Sequence, residues 1–135
     1  MRLVVDTGVF SAALSRRRRA HFDEEVKHLA GNQLFLAAVT VAELRYGADK
    51  SGKPSRNHKL LDVLTNEIPG RDFDSAAASI YGKVRATLEK KGQPIGPNDM
   101  LIAAHALSLG LVLVSDNLGE FKRVGGLKLQ NWREA

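Results

Sequence analysis

Apolar residues along this chain follow two rhythms. Short continuous runs at residues 3–5, 34–37 and 111–114 read as strands buried on both faces, as in a parallel sheet. Between them, apolar positions recur every three or four residues. The clearest case is Phe73, Ala77, Ile80, Val84 and Leu88, which predicts an amphipathic helix closed by Gly92 and Pro94. Further helices are predicted from the Thr7-Gly8 turn to about residue 15, over 21–29 (Phe22, Val26, Leu29), 40–48, 58–64 (Leu60, Leu61, Leu64) and 99–109. Asn98 is the expected cap of the last helix and Gly110 its stop. Residues 50–56 (KSGKPSR) read as a polar loop, residues 67–71 as a strand end or turn around Pro69-Gly70, and 127–129 as a final short strand. Strands alternating with helices predict an α/β sandwich built on a parallel sheet, in one domain over residues 1–135.

This pattern sets four acids at the ends of apolar segments: Asp6, Glu43, Asp99 and Asp116. Parallel strands share a carboxyl edge, where ligands bind. Asp6 directly follows one strand and Asp116 lies two residues beyond another, while Glu43 and Asp99 fall in first helical turns. Crowded carboxylates are costly without a cation, and hard oxygen donors suit Mg²⁺ or Mn²⁺. A metal-dependent phosphodiesterase is the chemistry this arrangement favours.

Each acid also has a local explanation. Asp6 could cap the helix that follows it. Thr40 and Glu43 match the Ser/Thr-x-x-Glu capping box. Asp99 would meet a helix N-terminal dipole, and Asp116-Asn117 before Gly119 is ordinary turn chemistry. Taken singly they read as structural; taken together they favour a site. On the Asp99 helix, Ala103 and Ala106 share the face of the acid, whereas His105 points away and is expected to be structural.

Composition sharpens the picture. The 135 residues are 44% apolar and 26% charged, enough for one compact unit with a real core. Cysteine is absent, which excludes disulfides and thiolate metal sites. No signal segment and no membrane span are read, so a soluble cytoplasmic protein is expected. The net charge is +5, the balance expected where a carboxylate pocket works on a phosphate backbone. Arg16, Arg17, Arg18 and Arg19 form a run suited to bidentate phosphate contacts. The four histidines have no zinc spacing, and no P-loop, Gly-x-Ser-x-Gly or Gly-x-Gly-x-x-Gly motif occurs. Tyr46, Tyr81 and Trp132 are too dispersed for a base-stacking strip.

The segments VVDTGVF, TVAELRYGA, GQPIGPNDMLIAAHALSLG and LVLVSDNLGEFKRVGGLKLQNW closely resemble those of PIN-domain ribonucleases, above all the VapC toxins of bacterial type II toxin–antitoxin pairs. The resemblance runs in order through essentially the whole chain. It implies a three-layer α/β/α sandwich with a short parallel sheet, a carboxylate pocket for Mg²⁺ or Mn²⁺, and endonucleolytic cleavage of RNA, often transfer RNA. It implies a toxin that inhibits translation and growth, partnered by a cognate antitoxin whose inserted Arg or Lys pairs with the acids, and a homodimer. Asp6, Glu43 and Asp99 take the family's first three acidic places. Asp6 and Asp99 are then the direct metal ligands, and Glu43 coordinates or orients water. The fourth place often holds an acid two residues after the Ser or Thr that closes the strand. Here that position is Asn117, which leaves Asp116, Asn117 and Glu120 open as supporting groups. Thr7 and Ser115 would hydrogen-bond a ligand carboxylate or the phosphate. A housekeeping RNA-processing nuclease and a non-catalytic RNA-binding domain are the alternatives. An aspartyl-nucleophile phosphatase ranks below them, since Gly8 stands where its second Asp would be.

Overall fold

A computed structural model of the protein describes residues 2–6 and 33–131. Thr7, the predicted helices at 7–15 and 21–29, Arg16, Arg17, Arg18, Arg19, His21, His28 and Trp132 lie outside the described residues. The described strands are β1 (Arg2–Val5), β2 (Gln33–Ala37), β3 (Gly70–Arg71), β4 (Val112–Val114) and β5 (Leu129–Gln130). They form one sheet in the order β3-β2-β1-β4-β5, parallel throughout. The described helices are α1 (Ala38–Lys50), α2 (Pro54–Glu67), α3 (Ser75–Lys90), α4 (Pro97–Leu109) and α5 (Leu118–Phe121).

Alternation along the strands splits the core in two. Val5, Leu36 and Val114 pack with Leu44 and Ala48 of α1 and Leu61 and Leu64 of α2. Their neighbours Val4, Phe35 and Leu113 pack on the other side with Leu88 of α3, Met100, Ile102, Ala103 and Ala106 of α4, and Phe121 of α5. Strand residues therefore lose solvent on both faces, which is why the strands read as unbroken apolar runs. The result is the three-layer α/β/α sandwich with a short parallel sheet. Ala103 and Ala106 are fully buried, so their small size serves close packing.

His105 is buried, with its ring edge-on to Phe73 at 5.6 Å between centroids. Neither ring nitrogen makes a hydrogen bond of good geometry. Burial pushes this imidazole below its ordinary value, opposed by the nearby Asp74 carboxylate. It is a neutral core residue.

Several boundaries move for identifiable reasons. α4 begins at Pro97 with Gly96 as N-cap, so Asn98 is inside the helix and does not cap it. Proline at the first helical position loses no intrahelical bond and has the right φ. The same rule starts α2 at Pro54, four residues before the expected start and inside the segment read as a loop. The last strand forms at Leu129–Gln130 because pairing aligns Leu129 with Leu113. The short helix α5 was not expected from the Asp-Asn-x-Gly turn chemistry. Its Phe121 is nevertheless fully buried, three residues after Leu118. At Gly110, φ is +65°, the left-handed turn that ends α4 and leads into β4.

The most informative shift concerns α1. β2 runs into it without a loop, so Ala37 is the N-cap and Thr40 the third helical residue. The Thr40 hydroxyl is buried without a hydrogen-bond partner, and Glu43 lies a full turn too deep to cap. The capping box does not form. Thr40→Val is therefore expected to leave stability unchanged or to raise it by up to about 2 kcal/mol, since an unpaired buried hydroxyl is removed. A capping Thr would instead lose about 1 kcal/mol; urea denaturation distinguishes the two signs.

Candidate active site

The sheet's carboxyl edge assembles the acids. The backbone N–H of Asp6 donates to the Val114 carbonyl at 2.9 Å, continuing the β1–β4 pairing one residue past the strands. This sets the buried Asp6 carboxylate beside Ser115, whose Oγ donates to Asp6 Oδ2 at 2.5 Å. The same Oγ accepts from the backbone N–H of Asn117 at 2.9 Å. Ser115 thus fixes both the first acid and the turn that follows β4.

Asp99, in the first turn of α4, stands among the other acids. Burial pushes its carboxyl up to about 7, helped by a hydrogen bond with Glu120 and by the charges of Glu120, Asp6 and Glu43. Glu120 moves the opposite way, held down by the hydrogen bond with Asp99 and by Asn117. Asp99 is the group that favours the proton, and Glu120 accepts the hydrogen bond from it. Asn117 Nδ2 lies 3.0 Å from Glu120 Oε2 and 3.5 Å from Asp99 Oδ2, between the two. Glu43 approaches from α1, where its Oε2 accepts from Asn98 Nδ2 at 3.4 Å. Asp6, Glu43, Asp99 and Glu120 therefore share one electrostatic neighbourhood. Asp116 is half-buried on the turn between Ser115 and Asn117. The largest charges acting on Asp99 are those of Glu120, Asp6 and Glu43.

Asn98 was not singled out for this role by sequence, and Glu120 was one of three groups left open for the fourth place. Asn98 looked like a helix cap, and only the Pro97 start of α4 frees its side chain for Glu43. Glu120 could be named but not placed, because the signal that places it is the Leu118/Phe121/Val124 spacing that turns α5 onto the core. Glu43 also borders two open grooves. One, about 460 Å³, lies between α1 and α2 along Leu44, Leu60 and Leu61. The other, about 650 Å³, is lined by Val39, Ala42, Tyr46, Asn98 and Leu101.

Among the described residues, no three carboxylates or imidazoles already converge in a group that could hold a metal ion. Mg²⁺ keeps several waters and takes one or two protein carboxylates, so it does not require an all-protein cage. The donor set fits: hard oxygens only, with a proton on Asp99 relieving repulsion that a cation would otherwise neutralise.

An all-parallel α/β/α sandwich with acids gathered at the carboxyl edge defines the class. The sequence matches the PIN domain over residues 3–127, and the chain belongs to that family. Within it, the chain belongs with the VapC ribonucleases. It is 43% identical over 105 residues to the tRNA(fMet)-specific endonuclease VapC of Shigella flexneri, covering 78% of this chain and 80% of that one. It is 38% identical over 132 residues to ribonuclease VapC2 of Haemophilus influenzae, covering 98% of each. Among solved structures, VapBC2 from Rickettsia felis bound to a promoter DNA fragment superposes with a TM-score of 0.92 at 34% identity, covering 98% of this chain and 99% of that chain.

The raised Asp99 gives a stability test in metal-free protein. Its folded value near 7 lies above the ordinary 3.8, so between the two the folded state holds a proton that the unfolded chain has released. Stability therefore falls as pH rises through that window. Asp99→Asn removes this dependence. In chelator at about pH 8 the variant is expected to be more stable than wild type, on the order of 1 kcal/mol after allowance for solvent screening. At about pH 4 the two should converge. Denaturant titrations at both pH values check this, and equal stability at pH 8 would contradict it.

Proposed function

We propose that this protein is the toxin of a toxin–antitoxin pair, a metal-dependent endoribonuclease whose site is the Asp6–Glu43–Asp99–Glu120 cluster. The observation that carries the reading is the hydrogen-bond chain from Asp6 through Ser115 and Asn117 to Asp99 and Glu120 at the carboxyl edge of a parallel sheet. Nucleases of the PIN-domain VapC type are in general dependent on divalent metal. Mg²⁺ or Mn²⁺, when bound, neutralises the scissile phosphate and acidifies an attacking water. Asp6 and Asp99 are the direct ligands in this reading, and Glu120 completes the cluster where Asp116 was the first expectation. Glu43, held by Asn98, orients water. Ser115 locks the Asp6 carboxylate, and Asn117 keeps Asp99 and Glu120 facing each other, so the site loses little freedom when the substrate arrives.

The partner reading rests on the neighbours: the Rickettsia felis structure is a VapBC complex, as is the Salmonella typhimurium one, at a TM-score of 0.91 and 34% identity. An antitoxin segment would cover the groove between α1 and α2, where Leu60 stands exposed, and place a cationic side chain among the acids. A homodimer would use the exposed face around Tyr46. The RNA is transfer RNA by analogy with the Shigella flexneri relative. No described helix is long and apolar enough to cross a membrane.

Cleavage of total RNA in Mg²⁺ tests the assignment. Asp6→Asn and Asp99→Asn are expected to lose activity by about 100-fold or more, with growth arrest on expression lost in parallel. Glu120→Gln should lose far more activity than Asp116→Asn. Asp116→Asn as damaging as Asp6→Asn would return the fourth place to Asp116, and full activity in Asp99→Asn would remove the metal site altogether.

A further inference from the structure

A third groove, about 280 Å³, lies between α3 and the turn after α5. Lys83 and Thr87 line it from α3, Lys91 from the C-cap of that helix and Arg123 from the turn, over an apolar floor that includes Val84 and Leu107. Among the described residues, no carboxylate lines it. Lys83, Thr87 and Lys91 are spaced four residues apart, so two cations and a hydroxyl fall on one stripe of the helix. The acid nearest in sequence, Glu89, is rotated away and pairs with Arg85 at 2.9 Å. Lys83 and Lys91 line one groove beside Arg123, so the groove attracts an anion.

Arg123 connects this groove to the catalytic edge. Its Nη1 donates to the Pro94 carbonyl at 3.0 Å, which orients the side chain. Its charge also bears on Glu120, three residues earlier. A strand leaving the acids would pass Arg123, then Lys91, then Lys83. The helix sets Lys83 and Lys91 about 12 Å apart, the rise of three to four stacked nucleotides at about 3.4 Å each. Catalytic acids repel a phosphate backbone, so grip must come from cations beside them.

We propose that the groove formed by Lys83, Thr87, Lys91 and Arg123 is the track that holds the phosphate backbone of the RNA substrate beside the acidic site. It rests on the ribonuclease reading, but binding can be measured without cleavage. The track gives affinity without base recognition, so it sets how firmly an RNA is held and not which bond is cut.

The test is fluorescence anisotropy of a labelled RNA hairpin with the full chain in EDTA, across a salt series. The Lys83→Ala/Lys91→Ala double variant is expected to bind about tenfold more weakly and to lower the slope of log affinity against log salt by about two. Thr87→Glu, which keeps both lysines and places an acid in the groove, should weaken binding similarly. Arg85→Ala, on the far side of α3, should stay within about twofold of wild type. Unchanged affinity in the double variant and in Thr87→Glu overturns the proposal and leaves an acidic protein segment as the better occupant. An equal loss in Arg85→Ala also overturns it, since attraction would then be diffuse. Failure of the nuclease reading shows separately, as RNA bound by wild type but uncut once Mg²⁺ is added.

Discussion

The parallel pairing of β1 with β4 is the interaction on which the site depends. It aligns Val5 with Val114 and extends one residue further through the Asp6 N–H to the Val114 carbonyl. A slip of one residue would turn Asp6 into a helix layer and Val5 onto the edge. With the register fixed, Asp6 meets Ser115, Ser115 holds the Asn117 backbone, and Asn117 faces Asp99 and Glu120. One ladder thus carries the acid of β1 to the acids of α4 and α5. The two hydrophobic layers keep the ladder in place by burying both faces of every central strand.

What that ladder assembles is electrostatically unfavourable in isolation. Asp99 retains a proton near neutral pH because burial and three neighbouring carboxylates oppose its ionisation. A fold optimised for stability alone would not gather these groups, and strongly perturbed acids in one place are a mark of a functional site. The basic surroundings balance the arrangement at longer range. Arg123 lies between Glu120 and the cationic stripe of α3, so a polyanion meets attraction on one side and the reacting edge on the next.

Much of this was legible in the sequence where a single physical rule decided the outcome. Unbroken apolar runs gave the buried parallel strands, and the 3-4 spacing from Ala77 to Leu88 gave α3. Asp6 and Asp99 stood out because strand ends and helix starts in such sheets converge. The rest depended on contacts between distant segments. Thr40 and Glu43 satisfy a capping motif locally, yet the direct β2-to-α1 junction starts the helix at Ala38 and dissolves the cap. Asn98 resembled a cap until Pro97 took the first helical position. The Asp116-Asn117-x-Gly119 stretch suggested a turn, and the pull of Phe121 into the core, which makes α5 and swings Glu120 toward Asp99, is a tertiary effect that local propensity does not register.

If a divalent cation relieves the like-charge repulsion among these acids, binding it must stabilise the fold. Thermal melting of the wild type and of an Asp6→Asn/Asp99→Asn double variant, at about pH 8 in EDTA and in excess Mg²⁺, tests it most directly. Mg²⁺ is expected to raise the wild-type midpoint by about 4 °C or more and to leave the double variant unmoved. A wild-type midpoint insensitive to Mg²⁺, or an equal rise in both proteins, would contradict it.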